Sequence, residues 1–488
     1  MPDSTLLTAA QARHLLRHTG FGARVDEVAT FASLTRGAAA DRLLAFKPQG
    51  FKPGGVEPDI IHNKWISFMV RTKQPLQEKL VLFWHDHFAT AFSKVQDARL
   101  MTKQNQLLRR NCKGNFRDLV KAINKDPAMM RFLDTTRNQK ESPNENYARE
   151  LLELFTLGPK DNAGNDNYAQ ADIVQIARAF TGWEFDAGKD AALATSLHDF
   201  TAAFPARGAK VIFASTGGFL PPGSGRSFTV GGEGANEIDE VIDIVLQHTD
   251  SDGKNTVARR IARRLIEYFA HPSPDLSFVD DVVGTGPSAF DATWDIAALL
   301  RRLFVHDAFY DTAEPLGPTS KRSVKWPVDY VVGTLRVLRM RLKGTQQFVD
   351  GGSYEPIMNQ LANMGQVLFN PPSVFGWDWE MNWISSSTLL ARYAFARDLT
   401  AARGGGAKGF HPEYFVDSAL TDAAAIVDAV THVLGITDEL TSPERDTLVA
   451  YLTKDGTLTP DLTNYDYRDE KLRGLFALAL QLPAYQLH

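Results

Sequence analysis

The chain has 488 residues, 44% of them hydrophobic and 10% aromatic, enough to build one large core or two coupled ones. A formal net charge of −5 gives no general electrostatic reason to bind nucleic acid or an anionic membrane, and no apolar run approaches the ~20 residues of a membrane-spanning helix. The single cysteine, Cys112, excludes an intrachain disulfide and a cysteine-based zinc cluster.

The opening Met1-Pro2-Asp3-Ser4-Thr5 has no basic region followed by an apolar stretch. Read as given, it predicts a cytoplasmic chain, with export alongside a signal-bearing partner as the alternative. Helical periodicity and stop signals predict helices over 8–17, 25–33, 36–45, 60–72, 76–88, 98–111, 115–124, 143–157 and 170–180. Residues 184–235 then turn rich in Gly, Pro and Ser, and alternation over 210–213 predicts a small β-hairpin near 205–230. Helices return over 235–247, 257–269, 291–304 and 328–339. Loops are expected over 346–356 and at Gly404-Gly405-Gly406, and helices close the chain. The predicted fold is mainly α. An N-terminal helical half (1–183) and a C-terminal helical half (236–488) would share one core around an irregular insertion (184–235).

Chemistry is concentrated on two of these helices. Over 76–88, at ~100° per residue, Leu76, Leu80, Phe83, Trp84 and His87 share a face, while His85 and Asp86 point away from it. His85-x-His87 looks like a ligand pair, but a helix that runs through residue 87 keeps the two rings from chelating one metal. His87 then reads as a hydrogen-bonded core histidine or a lone metal ligand, and His85 as a polar-face group freer to act in catalysis.

Over 143–157, Ser142-Pro143-Asn144-Glu145 forms a capping-box pattern, and Gly158 stands where a left-handed C-terminal residue is wanted. Tyr147, Leu151, Leu154 and Phe155 make the core stripe. Asn146, Arg149, Glu150 and Glu153 cluster on the polar side. They read either as a solvated face with an Arg149–Glu153 ion pair or as a pocket wall able to bind a cation or move a proton. His198-Asp199 lies in the irregular segment, where a loop histidine has fewer packing reasons to exist and imidazole is a common metal ligand. Trp377, Trp379 and Trp383 either bury a long loop or offer flat surfaces to a ring-bearing or glycan ligand. No G-x-S-x-G elbow, H-E-x-x-H, Walker A loop or Rossmann glycine fingerprint is present.

These blocks together carry a resemblance. Phe83-Trp84-His85-Asp86-His87-Phe88 and Pro143 to Gly158 resemble the bacterial family catalogued as domain of unknown function 1800. So do Tyr168 to Asp172, Ala179-Phe180-Thr181-Gly182-Trp183, His198-Asp199 and Met364 to Trp377, over nearly the whole chain. Two departures stand out: Ala169 replaces the usual Thr cap, and Phe200 to Gly208 is inserted after His198-Asp199. The resemblance implies a mostly helical fold, relatives that are often exported, and a sulfatase-like partner family often encoded nearby. It brings no settled activity.

Two functional expectations follow. One is an enzyme with Glu150, Glu153, His85, Asn146 and Arg149 in catalysis, and with His87, His198 and Asp199 as ligands of a divalent Zn, Mn or Fe. In this reading Trp377 and Trp383 hold a small-molecule or glycan substrate, and metal-assisted hydrolysis is the reaction class. The other is a non-catalytic partner or chaperone of a sulfatase-like protein, which would use the same charged face for docking.

Overall fold

Short polar side chains start about half of the α-helices among the described residues. In the computed structural model the side-chain oxygens of Thr8, Asp97, Asn115, Asn255, Asp295 and Asp422 each accept main-chain N–H groups of the first turn that follows. Those donors have no partner inside the helix, so each cap contributes about 1 kcal/mol. The structure describes residues 2–53, 55, 57–185, 190–200, 208–214, 228–231, 234–311, 322–340, 357–403 and 409–488.

The predicted helices are present with ends shifted by a few residues, among them Val25–Phe31, Pro75–His87, Ala98–Asn111, Gln170–Ala179 and Thr256–Phe269. The helix expected over 291–304 is two, Phe290–Thr293 and Ile296–Val305. Trp294 takes a left-handed conformation (φ 55°), and Asp295 caps the second piece. The hairpin expected near 205–230 is an antiparallel pair, Val211 opposite Thr229 and Ile212 opposite Phe228. A second pair, Trp183–Phe185 against Ala191–Leu193, was not anticipated. The loops expected over 346–356 and at Gly404-Gly405-Gly406 lie outside the described residues.

Distant parts of the chain are interleaved. Arg36–Leu44 packs on Ile296–Val305, and Pro58–Arg71 on Pro327–Val337. A single set of touching buried apolar side chains runs from Leu7 to Tyr485. Pro75–His87 lies deep in this core, with every residue from Leu76 to His87 buried. Its polar residues therefore need internal partners. Glu78 takes a two-pronged contact from Arg109 (2.6 and 2.5 Å) and the Trp65 indole N–H (2.8 Å). Lys79 donates to both oxygens of Asp329 at 2.9 Å. Among the described residues no helix is long and apolar enough to cross a membrane.

Candidate functional site

The Pro75–His87 helix does run through residue 87, so His85 and His87 diverge. His85 is not the free polar-face group expected from periodicity. It is 2% exposed, and its Nε2 accepts the Phe369 main-chain N–H at 3.0 Å. Burial, with His62 nearby, holds its pKa down at about 3, so the ring is neutral. Asp86 accepts the Trp377 N–H (2.7 Å) and the Trp379 indole N–H (3.2 Å), with Arg264 at 3.5 Å. Burial still pushes its carboxyl up to about 6. His87 lies against Phe155, whose carbonyl takes an Nε2 hydrogen bond at 3.2 Å. Burial, then Arg264 and Arg260, keep its pKa well below the usual histidine range. These three residues fasten the helix to the 369–379 segment and to Phe155.

The second motif also differs from its predicted form. The α-helix spans only Asn146–Glu150 and widens into a π-turn over Leu151–Thr156. The capping box does not form: Asn144 Oδ1 accepts the Asn146 N–H (2.9 Å), and Glu145 binds Arg149 (3.2 Å) and Gln170 (2.6 Å). The wider turn shifts residues beyond it by about 100° from a regular 3.6-residue count, and Arg149 pairs with Glu145 in place of Glu153. Asn146 donates to the Leu133 carbonyl at 3.2 Å. The carbonyls of Glu153 and Leu154 are taken up by Arg260 Nη2, at 2.9 and 3.5 Å. The Arg260 guanidinium lies across Gly158, which is left-handed as expected (φ 77°) and where a Cβ would collide with it.

Glu150 and Glu153 remain half-buried on this wall. The Tyr168 hydroxyl donates to Glu153 at 3.4 Å, and burial with Glu153 beside it pushes the phenol up to about 12. The Glu150 carboxylate has neither a hydrogen bond nor an ion pair among the described residues. Burial and the neighbouring Glu153 raise its pKa, while Arg149 opposes them.

A row of charges that sequence reading passed over continues from there. Arg260, Arg264 and Glu267 follow at i, i+4 and i+7 on Thr256–Phe269, a helix in which periodicity singled out no functional residue. Burial and the adjacent Arg264 lower Arg260 to about 10. Arg264 stacks 4.3 Å from the centre of the Trp379 ring. Burial raises Glu267 against the pull of Arg264. It also pushes Glu380 up to about 7, with Glu267 adding to the effect. The i, i+4, i+7 spacing of two arginines and a glutamate was the available signal. Its link to Glu153 and Asp86 depends on contacts between residues far apart in sequence.

The other candidates lie in different surroundings. His198 and Asp199 are fully buried in a network of their own, which corrects the expectation of a loop histidine without packing duties. His198 contacts the Thr181 carbonyl (2.8 Å) and Glu237 (3.2 Å), Lys210 holds the other Glu237 oxygen (2.6 Å), and Arg178 pairs with Asp199 (2.9 Å). Gly182 has no room for a side chain, since a Cβ would sit 2.8 Å from the Ala194 carbonyl and 2.9 Å from the His198 nitrogen. Trp377 and Trp383 are each 3% exposed and pack around Trp326, so they bury the loop. Of the three tryptophans, Trp379 is the one left half-buried beside the charged row. Among the described residues no three His, Cys, Asp or Glu side chains are grouped to hold a metal ion.

Comparison with curated proteins and with solved structures found no match. The motifs that form the buried fastening and the carboxylate wall fall within one continuous family match over residues 14–487, and the chain belongs to the family described as protein of unknown function (DUF1800).

Proposed function

We propose that the chain is a hydrolase whose reacting centre is the charged row from Glu150 to Glu380. Glu150 and Glu153 exchange the proton, Tyr168 orients Glu153, and Arg260 and Arg264 attract a substrate carrying negative charge. The observation that carries this reading is Glu150, a half-buried carboxyl without a counter-ion of its own beside a second carboxyl. Such an arrangement costs stability, and it brings a carboxyl toward the neutral range where general acid–base catalysis is efficient. Asn146 and Arg149 flank the pair as orienting groups. A divalent ion recruited by the Glu pair together with substrate would supply Lewis-acid assistance. Purified protein is to be screened on carboxylic, phosphate and sulfate esters and on glycosides, with added Zn or Mn and with chelator. Hydrolysis that falls at least ~100-fold in Glu150→Gln and Glu153→Gln, with unchanged unfolding curves, supports the reading. Hydrolysis insensitive to both changes, or none on any class, overturns it.

One observation favours a second reading, a docking protein for a sulfatase-like partner. Phe375, Met381 and Leu390 are 64%, 68% and 67% exposed, on the segment that also carries Trp379. Large apolar side chains this exposed suit an interface. Co-expression with a sulfatase-like protein of the kind encoded beside its relatives should give a complex that Phe375→Ser with Met381→Ser dissolves. No complex with wild type removes this reading.

A further inference from the structure

Sharing no residue with the charged row, the C-terminal part of the chain forms a cleft of about 210 Å³, lined among others by Arg403, His411, Tyr465, Arg468, Asp469 and Arg473. That is smaller than the roughly 300–1,000 Å³ of sites for drug-sized molecules, so it suits a compact group. Among the described residues Glu413 is the other carboxylate of the lining, so three guanidinium groups face two carboxylates there. Both carboxylates are already engaged. Asp469 sits between Arg473 and Arg403, each at 2.6 Å, and Glu413 meets His411 Nδ1 at 3.1 Å. Arg473 is also anchored to the carbonyls of Thr400 (2.8 Å) and Ala402 (3.3 Å).

Arg468 differs from these. Among the described residues it makes no ion pair, and its nearest acceptor, the Leu462 carbonyl, is at 3.5 Å, past the usual range for a hydrogen bond. Its guanidinium stands 5.8 Å from the Tyr465 ring centre, and Tyr465 is 62% exposed. The chain here is a second π-turn, Arg468–Leu472, and turns of this kind recur at functional sites. Its i-to-i+5 pitch brings Arg468 and Arg473 to the same wall of the cleft.

We infer that this cleft binds a tetrahedral oxyanion of two negative charges, phosphate or sulfate, free or as the end of an ester. Arg468 supplies the uncommitted fork, whose planar pair of N–H donors matches two oxyanion oxygens. Arg473 and Arg403 supply fixed positive potential, and Tyr465 adds a hydroxyl donor at the rim. None of these residues belongs to the charged row, so the two readings stand or fall separately.

The test is calorimetric titration and thermal unfolding of the full chain with sodium phosphate, sodium sulfate and phenyl phosphate, against sodium chloride at equal ionic strength. Saturable binding to wild type is expected. It should weaken about tenfold or more in Arg468→Gln and by less in Arg468→Lys, and stay unchanged in Arg445→Gln, a surface pair with Asp428 outside the cleft. Equal binding of phosphate and sulfate marks a site for the free ion, while tighter phenyl phosphate marks an ester site. If Arg468→Gln fails to fold by circular dichroism, Arg468→Lys is the deciding variant. Absence of saturable binding to wild type, or unchanged binding in both Arg468 variants, overturns the inference.

Discussion

His85 gives the sharpest test of whether the first motif is a fastening or a free catalytic group. Its folded pKa is about 3, whereas in the unfolded chain it takes the ordinary 6.5. The unfolded state thus binds a proton below pH 6.5 that the folded state refuses until about pH 3. Stability contributed by the neutral ring is complete above pH 6.5 and declines as pH falls through that window. At pH 5 the loss covers about 1.5 pH units at 1.36 kcal/mol each, or roughly 2 kcal/mol. His85→Gln removes the proton site while its Oε1 can occupy the Nε2 position and still accept the Phe369 N–H. His85→Leu removes both and leaves that buried N–H unpaired, at a cost of roughly 1–3 kcal/mol at any pH. Urea unfolding followed by far-ultraviolet circular dichroism at pH 7.5 and pH 5 separates the effects. His85→Gln should lose about 2 kcal/mol less than wild type between the two pH values. His85→Leu should share that shallower slope but start lower. Equal slopes in wild type and His85→Gln would refute the assignment and return His85 to the list of solvent-titrating groups.

Gly376 has φ +85°, and a Cβ there would lie 2.7 Å from the Asp86 carbonyl and against its carboxylate. Gly376→Ala should therefore cost roughly 2–4 kcal/mol in urea unfolding, from backbone strain and displacement of the Asp86 contacts; a cost below ~0.5 kcal/mol would mean the segment can lift away freely. Lys79→Met leaves the buried Asp329 with His488 at 3.4 Å as its one ion-pair partner among the described residues, and should destabilise by roughly 3–5 kcal/mol. Lys79→Met with Asp329→Leu should recover most of that loss, and failure to recover would show that packing rather than charge dominates there.

Where a helix has one solvated face, periodicity located it well, as at Ala98–Asn111, and Gly158 marked its turn correctly. The helix does continue through residue 87, the condition under which the H-x-H pair cannot chelate one metal. The roles of the polar residues on Pro75–His87 were not legible. An amphipathic wheel assigns polar side chains to water, but here Glu78, Lys79, His85 and Asp86 each meet a partner 31 to 291 positions further on. Sequence spacing carries no information about such pairings. The π-turn escaped notice for a related reason. Leu151-Leu152-Glu153-Leu154-Phe155-Thr156 reads as ordinary helix, and the extra residue is tolerated because Arg260, over a hundred positions away, takes up two of its carbonyls. Trp294 was misread because its left-handed conformation overrides helix periodicity.

The all-round burial of Pro75–His87 also bears on the order in which the molecule is built. As the polypeptide emerges from the ribosome, Lys79, His85 and Asp86 have no partners until residues 329, 369 and 377 have followed. Until then the helix is an apolar segment with unpaired charges, a species that solvent favours neither buried nor exposed. Assembly must wait for contacts of very long sequence separation, whose loop-closure entropy comes due before any reward, so folding should be slow and governed by a late step. The N-terminal residues synthesised alone should stay in a loosely collapsed state that recruits holding chaperones, and should gain fixed structure only when the complementary C-terminal part is supplied in trans.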